Sequence, residues 1–157
     1  MVPASVTLAV VVAEAPAVTA WAKRHHWTVT IAPHGTHLDA TTIHPVTKKL
    51  IVFHAELDGY PAVPPAWSCR DADGNVSPAT FPIAGQRPTV PGSIFHPNHV
   101  ICAPWNRLAY GSHGGPHSDW ADQSGWKTIG GVTQAHTLAD MLNSLALHLA
   151  ASPATAA

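Results

Sequence analysis

Cys102 lies in the segment FHPNHVICAPWNR, residues 95–107, four residues after Asn98 of a His-Pro-Asn tripeptide. A cysteine thiolate accepts an acyl group and gives it up to an amine, so cysteine is a natural acyl carrier. Because a free thiol has a pKa of about 8.5, roughly a few per cent is thiolate at neutral pH, and a nearby protonated histidine or backbone N–H would raise that fraction. The segment alone leaves three roles open for Cys102: nucleophile, metal ligand or small buried hydrophobe.

Four side chains in this part of the chain could instead bind zinc. His99 and Cys102 give the spacing H-x2-C, and His113 and His117 follow as H-x3-H, which puts four potential ligands within nineteen residues. Histidine and cysteine are the ligands of structural zinc sites, and the intervening glycines would permit tight wrapping. However, the chain holds 12 histidines in all, and this ligand order departs from the common zinc signatures. A zinc site is therefore the less favoured alternative.

Composition limits the class of protein. A chain of 157 residues fits one domain that needs neither disulfides nor metal to fold. Lys and Arg total 8 against 9 Asp and Glu, so no electrostatic footprint for nucleic acid is predicted. The apolar run 6–13 has no basic residue before it and is too short for an export signal or a membrane span. We expect a soluble, cytoplasmic protein with Cys69 and Cys102 reduced and no membrane partner.

The pattern of apolar residues predicts helices at the two ends of the chain and strands between them. A helix is expected from Pro16, because Pro suits the first helical turn, with Val18, Trp21, Ala22 and His25 on one face. Whether 8–12 extends this helix or forms a strand stays open. Strands are expected at 27–32, 38–44 and 50–57, joined by short turns as an antiparallel meander.

The second half of the chain begins with a proline-rich connection from Tyr60 to about Gly92, which leaves little room for central strands. Within it, Cys69 lacks a flanking catalytic motif and is predicted to be a small buried hydrophobe. A late helix is expected from Thr137 to Pro153, with an apolar stripe that packs on the sheet. That stripe consists of Leu138, Met141, Leu142, Leu145 and Leu149. The tail ASPATAA is expected to be disordered.

These elements occur in a recognisable order: a helix, a meander, Tyr60-Pro61, Pro64-Pro65, His96-Pro97-Asn98, Ile101-Cys102 and the late helix over 138–149. Together they resemble the ubiquitin-conjugating enzyme (UBC-like) family, in particular its divergent bacterial members, over residues 16–153. The resemblance implies an α+β, UBC-like fold in which an antiparallel meander sheet packs against an N-terminal and a C-terminal helix. Residues 1–157 would form a single domain with a Pro-rich insertion at 69–92. The spacing from Asn98 to Cys102 is shorter than the family's.

The resemblance implies a function and a set of catalytic residues. Cys102 would take a ubiquitin-like protein modifier as a thioester from an activating (adenylating) enzyme and transfer it to the amine of a target protein. No cofactor would be needed, because the activating enzyme uses the ATP. Asn98, with His96 beside it, would stabilise the oxyanion, and Asp119 would orient or deprotonate the incoming lysine. We therefore predict Cys102, Asn98, His96 and Asp119 as catalytic residues.

Alternatives to these roles stay open. Asn98 could equally shape a turn, since Asn after Pro commonly bonds local backbone, and Asn106 is a second amide that could serve the oxyanion. Asp119, like Asp122 in the same loop, could be a solvated carboxylate. The whole domain could also be a catalytically inactive binding module, a hypothesis that the short spacing from Asn98 to Cys102 favours and that the presence of Cys102 opposes.

Overall fold

The structure is a computed structural model that describes residues 2–86, 92–120, 122–130 and 134–156. A helix, four strands and a second helix follow one another along the chain: α1 (Ala4–His25), β1 (Thr28–Ile31), β2 (His37–Ile43), β3 (Leu50–Glu56), β4 (Ala66–Arg70) and α2 (Leu138–Ala151). Short 3-10 turns lie between β4 and α2, at Pro78–Thr80, Arg107–Ala109, Gly111–His113 and Gln123–Thr128. The predicted α+β arrangement, with an antiparallel sheet and a helix at each end, is confirmed.

The helix α1 begins at Ala4, so the start predicted at Pro16 is wrong. Residues 8–12 belong to this helix, because the packing of its buried face, which includes Val11, Val18 and Trp21, outweighs the cost of Pro16 inside it. Val11 is 1% exposed, so the core begins earlier than residue 16. Among the described residues, this helix is long and apolar enough to cross a membrane, a test that soluble core helices and signal sequences also pass. The cytoplasmic location stays a prediction.

The sheet is a four-stranded antiparallel meander in the order β1-β2-β3-β4. The three predicted strands are confirmed to within about two residues at each end, and their inward side chains form the core with residues such as Leu38, Ile51 and Phe53. The prediction missed β4, because the prolines before and after it argue against a strand. The strand itself contains no proline, so its hydrogen bonds with β3 are unaffected by those that flank it. Cys69 faces inward from β4 and is 3% exposed, which confirms its role as a small buried side chain.

The helix α2 begins as predicted, with the Thr137 hydroxyl accepting from the Asp140 amide at 3.2 Å. All five residues of the predicted stripe are buried in the core. The Glu14 carboxylate connects this helix to α1, since it accepts from the Leu138 amide at 2.7 Å and from the Tyr60 hydroxyl at 2.6 Å. One side chain thereby holds the two helices and the start of the proline-rich segment together.

The C-terminal residues are ordered against the predicted insertion, so the expectation of a disordered tail is wrong for residues 151–156. The amide of Ile83 donates to the carbonyl of Ala154 at 2.9 Å, and the amide of Ala156 donates to the carbonyl of Phe81 at 2.8 Å. Phe81 is itself buried. The insertion predicted at 69–92 therefore belongs partly to the core, while its residues 87–91 lie outside the described part of the chain.

His44 is a buried histidine at the end of β2 whose hydrogen bonds require the neutral ring. Its Nδ1 accepts from the amides of Val46 and Thr47 at 3.1 and 3.2 Å, so Nε2 carries the proton and donates to the Ser152 hydroxyl at 3.0 Å. Burial is the main cause that lowers the pKa of His44 from its ordinary value. Protonation would charge a buried group and remove the acceptor of two amides.

We expect His44 to make folding stability depend on pH. Because its pKa is lower in the folded than in the unfolded chain, the unfolded chain binds more protons, and stability is lost as pH falls below about 6.5. His44→Asn keeps an acceptor for the two amides without the titrating ring, so its free energy of unfolding should change less than that of the wild type between about pH 7.5 and about pH 5.5. Urea unfolding measures this, with the exposed His34→Asn as control. Parallel pH profiles for wild type and His44→Asn would contradict the assignment.

Candidate functional site

The segment that carries Cys102 is a tight hairpin. Phe95 pairs antiparallel with Ile101, and the amide of His96 donates to the carbonyl of Val100 at 3.0 Å. The chain reverses through His99, which adopts a left-handed conformation with φ of 63°. The amide of Cys102 donates to the carbonyl of Ile94 at 2.6 Å. Cys102 therefore lies at the base of the hairpin, and the His-Pro-Asn tripeptide forms its exposed tip.

The Asn106 side chain fastens this hairpin to β4. Its Oδ1 accepts from the amides of Trp67 at 2.8 Å and Leu108 at 3.3 Å. Its Nδ2 donates to the carbonyls of Ile101 at 2.7 Å and Trp67 at 3.3 Å. Asn106 is 0% exposed and both amide protons are used inside the fold. The suggestion that Asn106 could stabilise an oxyanion is therefore wrong, because its donors hold backbone carbonyls.

The loop after Cys102 is held by a buried arginine. Arg107 donates through Nε to the carbonyl of Pro64 at 2.9 Å and through Nη2 to the carbonyl of Asp58 at 2.6 Å. Its Nη1 lies 3.0 Å from Oδ2 of Asp58. A charged group this deep in the fold is stable only when paired in this way. Arg107 thus belongs to the supporting structure rather than to the wall of a cleft around Cys102.

Gly115 allows the loop to fold back on itself. A Cβ atom at this position would lie 2.3 Å from the carbonyl oxygen of Leu108, a distance that no side chain can accept. The close approach lets the His117 amide donate to the carbonyl of Ala109 at 3.0 Å, while the His117 carbonyl accepts from the Gly111 amide at 3.0 Å. The backbone of His117 is therefore held from both sides.

The side chains of Cys102, His117 and Asp119 form a continuous chain of contacts. The Nε2 atom of His117 lies 2.8 Å from the Cys102 sulfur, and its Nδ1 lies 3.1 Å from Oδ1 of Asp119. An ionised carboxylate only accepts hydrogen bonds, so Nδ1 carries the proton of the neutral ring. The lone pair of Nε2 then faces the thiol. His117 is placed to accept the Cys102 proton, and Asp119 is placed to stabilise the imidazolium that results.

Cys102 is half-buried, and this environment affects its ionisation. Burial raises the pKa of the thiol, and the negative charge of Asp119 raises it further. The resting thiol is therefore protonated and shares its proton with His117, so it differs from a preformed thiolate–imidazolium pair. A thiol in this state becomes a strong nucleophile only when a base removes its proton during attack.

The four predicted catalytic residues form two separate pairs. Asp119 reaches Cys102 through His117, whereas His96 and Asn98 contact one another at the tip of the hairpin, with Nδ1 of His96 2.5 Å from Oδ1 of Asn98. The backbone N of Asn98 lies 3.2 Å from the same Nδ1, which cannot accept from that amide in the tautomer that donates to Oδ1. These contacts favour the interpretation of Asn98 as a turn residue. Asp122 caps the following 3-10 turn by accepting from the amide and hydroxyl of Ser124.

Sequence reasoning considered His117 only as a zinc ligand. The available signal was the tripeptide His117-Ser118-Asp119, in which a carboxylate two residues away can orient the ring. The partners proposed for zinc are separated, since His99 packs against Phe81 and His113 is exposed. Within the described residues, no group of three or more His, Cys, Asp and Glu side chains could hold a metal ion. The zinc site is not formed in this part of the chain.

A cavity lies elsewhere in the molecule, away from Cys102. It has a volume of about 780 Å³, begins at the start of α1 and is lined by residues that include Thr7, Asp58, Val63 and Arg107. Cys102 does not line it. The thiol is reached instead from the exposed loop surface, beside the exposed carboxylate of Asp119. Such a site suits an extended acyl group better than an enclosed small molecule.

No protein-family model matches the chain, and no curated protein or solved structure matches it either. The contacts of Cys102 with His117 and of His117 with Asp119 are therefore the firmest basis for a function. The order of motifs along the chain is the second basis.

We expect the two asparagines to differ sharply in their contribution to stability. Asn106→Ala leaves the buried backbone groups of Trp67 and Ile101 without these partners, so the free energy of unfolding should fall by about 2–4 kcal/mol. Asn98→Ala changes an exposed side chain and should cost about 0.5 kcal/mol. Urea unfolding of both variants measures the difference. Equal costs would mean that the Asn106 amide does not fasten the hairpin to β4.

Proposed function

We propose that the protein is a ubiquitin-conjugating-like acyl transferase with a UBC-like fold, which carries a ubiquitin-like protein as a thioester on Cys102 and transfers it to an amine. The observation that carries this proposal is the contact chain from the Cys102 thiol through His117 to Asp119. The order of motifs, from Tyr60-Pro61 through His96-Pro97-Asn98 to the late helix, supports the choice of acyl group. The α+β architecture is of the kind that such a function requires.

In the loading step, the Cys102 sulfur attacks the carbonyl carbon of a thioester on the activating enzyme. The thiol proton passes to Nε2 of His117, and the charge of the imidazolium is balanced by Asp119. The tetrahedral intermediate collapses with loss of the activating enzyme's thiolate, which takes the proton back from His117. One C–S bond forms, another breaks, and no cofactor takes part.

In the transfer step, an amine attacks the carbonyl carbon of the Cys102 thioester. His117 Nε2 accepts a proton from the amine and returns one to the departing Cys102 sulfur. The raised pKa of Cys102 makes this return important, because a thiol with a high pKa leaves slowly as a free thiolate. Asp119 thus acts through His117 rather than on the lysine directly, which revises its predicted role within the same reaction.

Asn98 and His96 keep the roles that the resemblance implies, as part of the proposal. The oxyanion of the intermediate needs a hydrogen-bond donor, and the exposed Nδ2 of Asn98 is the nearest candidate in the His-Pro-Asn motif. His96 holds Oδ1 of the same amide, so it orients the donor. If Asn98 serves only the turn, its removal will leave transfer unchanged.

A second function is favoured by the same three side chains. A thiol, a histidine base and an orienting carboxylate are also the groups that cysteine hydrolases use, with water as the acceptor of the acyl group. The two functions differ in the fate of the acyl-enzyme. A transferase releases it faster to an amine than to water, whereas a hydrolase does not need the amine.

The first test is formation of the thioester. Incubation of the protein with an activating enzyme, ATP and a ubiquitin-like modifier should give an adduct that a thiol reductant cleaves, and Cys102→Ser should convert it to a reductant-stable oxyester. Cys69→Ala is the matched control and should leave the adduct intact, because Cys69 is buried in the core. Modifier binding without any adduct would support the inactive binding module instead, and release to water alone would support a hydrolase.

The second test addresses the base. The rate at which the loaded Cys102 thioester is discharged to free lysine should fall about 10²–10⁴-fold in His117→Ala, the usual contribution of a general base. Asp119→Asn should also slow discharge, because an amide would favour the wrong tautomer of His117. Asp122→Asn is the control from the same loop, since the Asp122 carboxylate accepts from Ser124 and has no hydrogen bond to Cys102, His117 or Asp119 in the described part of the chain. Equal discharge rates for wild type and His117→Ala would remove the general base from the mechanism.

A further inference from the structure

Trp120 lies flat against the imidazole ring of His117. Their ring centroids are 3.7 Å apart and the ring planes differ by 2°. Trp120 is partly buried, and it packs against the hydrophobic core while it stacks on the His117 ring. The near-parallel geometry places one face of the indole against the candidate base, so the indole can act on the ring as well as fill space.

The indole is itself held in place. The Tyr110 ring packs edge-on against Trp120, with centroids 5.0 Å apart, and the Tyr110 hydroxyl donates to the carbonyl of Pro104 at 2.7 Å. Tyr110 is 1% exposed, so this support is rigid. The contacts form a stack from the core outward, in which Tyr110 fixes Trp120 and Trp120 fixes the ring of His117.

We propose that Trp120 is a positioning residue for the thiol of Cys102, because it holds the His117 ring in line with Cys102 and Asp119 and stabilises the imidazolium that forms when His117 accepts the thiol proton. Aromatic stacking sets the rotation of the ring about its side-chain bonds, which the two hydrogen bonds at its edges leave partly free. The face of an indole also attracts a cation. The proposal rests on the proposed function only in taking His117 as the base for Cys102, and it holds for any acyl group.

The groups that face this ring define what a pH profile would report. On its edges the ring meets the Cys102 thiol and the Asp119 carboxylate, and on one face it meets the neutral indole of Trp120. Behind the indole, Tyr110 has a pKa raised to about 12 by burial and by Asp122, so it stays neutral near physiological pH. Tyr110 therefore contributes no change of charge to the profile near neutral pH.

The test is the rate of Cys102 alkylation by iodoacetamide as a function of pH, measured on the full chain in a Cys69→Ala background. This reaction needs neither a modifier nor an activating enzyme. At neutral pH, Trp120→Leu should lower the rate about three- to tenfold, the size of one aromatic or cation–π contact, and should shift the profile to higher pH. Trp120→Phe should restore most of the rate. His113→Ala, in the same loop but exposed and outside the stack, should match the wild type.

A spectroscopic signal provides an independent measurement. In the folded protein the His117 ring lies against the indole, so the NMR resonances of its carbon-bound protons should be displaced by the ring current, and Trp120→Leu should remove that displacement. A wild-type alkylation profile in Trp120→Leu, with the chain folded, would overturn the role of Trp120 while leaving His117 as base. A wild-type profile in His117→Ala would overturn the base itself. If Trp120→Leu and His117→Ala both slow alkylation but no thioester with a modifier forms, only the choice of acyl group is overturned.

Discussion

The buried amide of Asn106 is the contact on which the site depends. It joins three backbone segments, because it accepts from Trp67 in β4 and from Leu108 in the following turn, and it donates to Ile101 beside the nucleophile. Trp67 and Ile101 are buried, so their backbone groups would lose a partner in the absence of the amide, without water to replace it. The position of Cys102 relative to the sheet is therefore set by a side chain that takes no part in the chemistry.

His117 reaches Cys102 through a second constraint, which is the close approach of Gly115 to Leu108 and Ala109. Arg107 anchors the start of this loop to the carbonyls of Asp58 and Pro64, in the proline-rich segment after β3. The hairpin and the loop thus take their positions from the same edge of the sheet. This common support explains how two exposed segments can hold three side chains within hydrogen-bonding distance.

The sequence was most informative where a local pattern and a buried face agree. Runs of strand-favouring residues predicted β2 and β3, and the Thr137 cap with its apolar stripe predicted α2. Local rules failed where tertiary contacts outweigh them, as for Pro16 inside α1 and for β4 between prolines. The contact of His117 with Cys102 was missed for another reason. It depends on the return of the loop at Gly115, and the number of residues between two positions does not predict their distance in space. Asp119 was predicted from its place in the loop, and its contact with His117 was not.

Asp119 has two opposite effects on Cys102, and the state of His117 decides which one dominates. While His117 is neutral, the carboxylate adds negative charge near the sulfur and raises the pKa of the thiol. Once the thiol proton moves to Nε2, a positive ring lies between the two anions, and the carboxylate stabilises that ring. A thiolate on Cys102 is therefore stabilised when His117 carries the proton and destabilised when His117 is neutral. In the proposed reaction, the thiol stays protonated at rest and loses its proton to His117 as the sulfur attacks a bound carbonyl. The stacked indole of Trp120 is neutral and its face attracts a cation. It therefore helps to stabilise the imidazolium without raising the pKa of the thiol further.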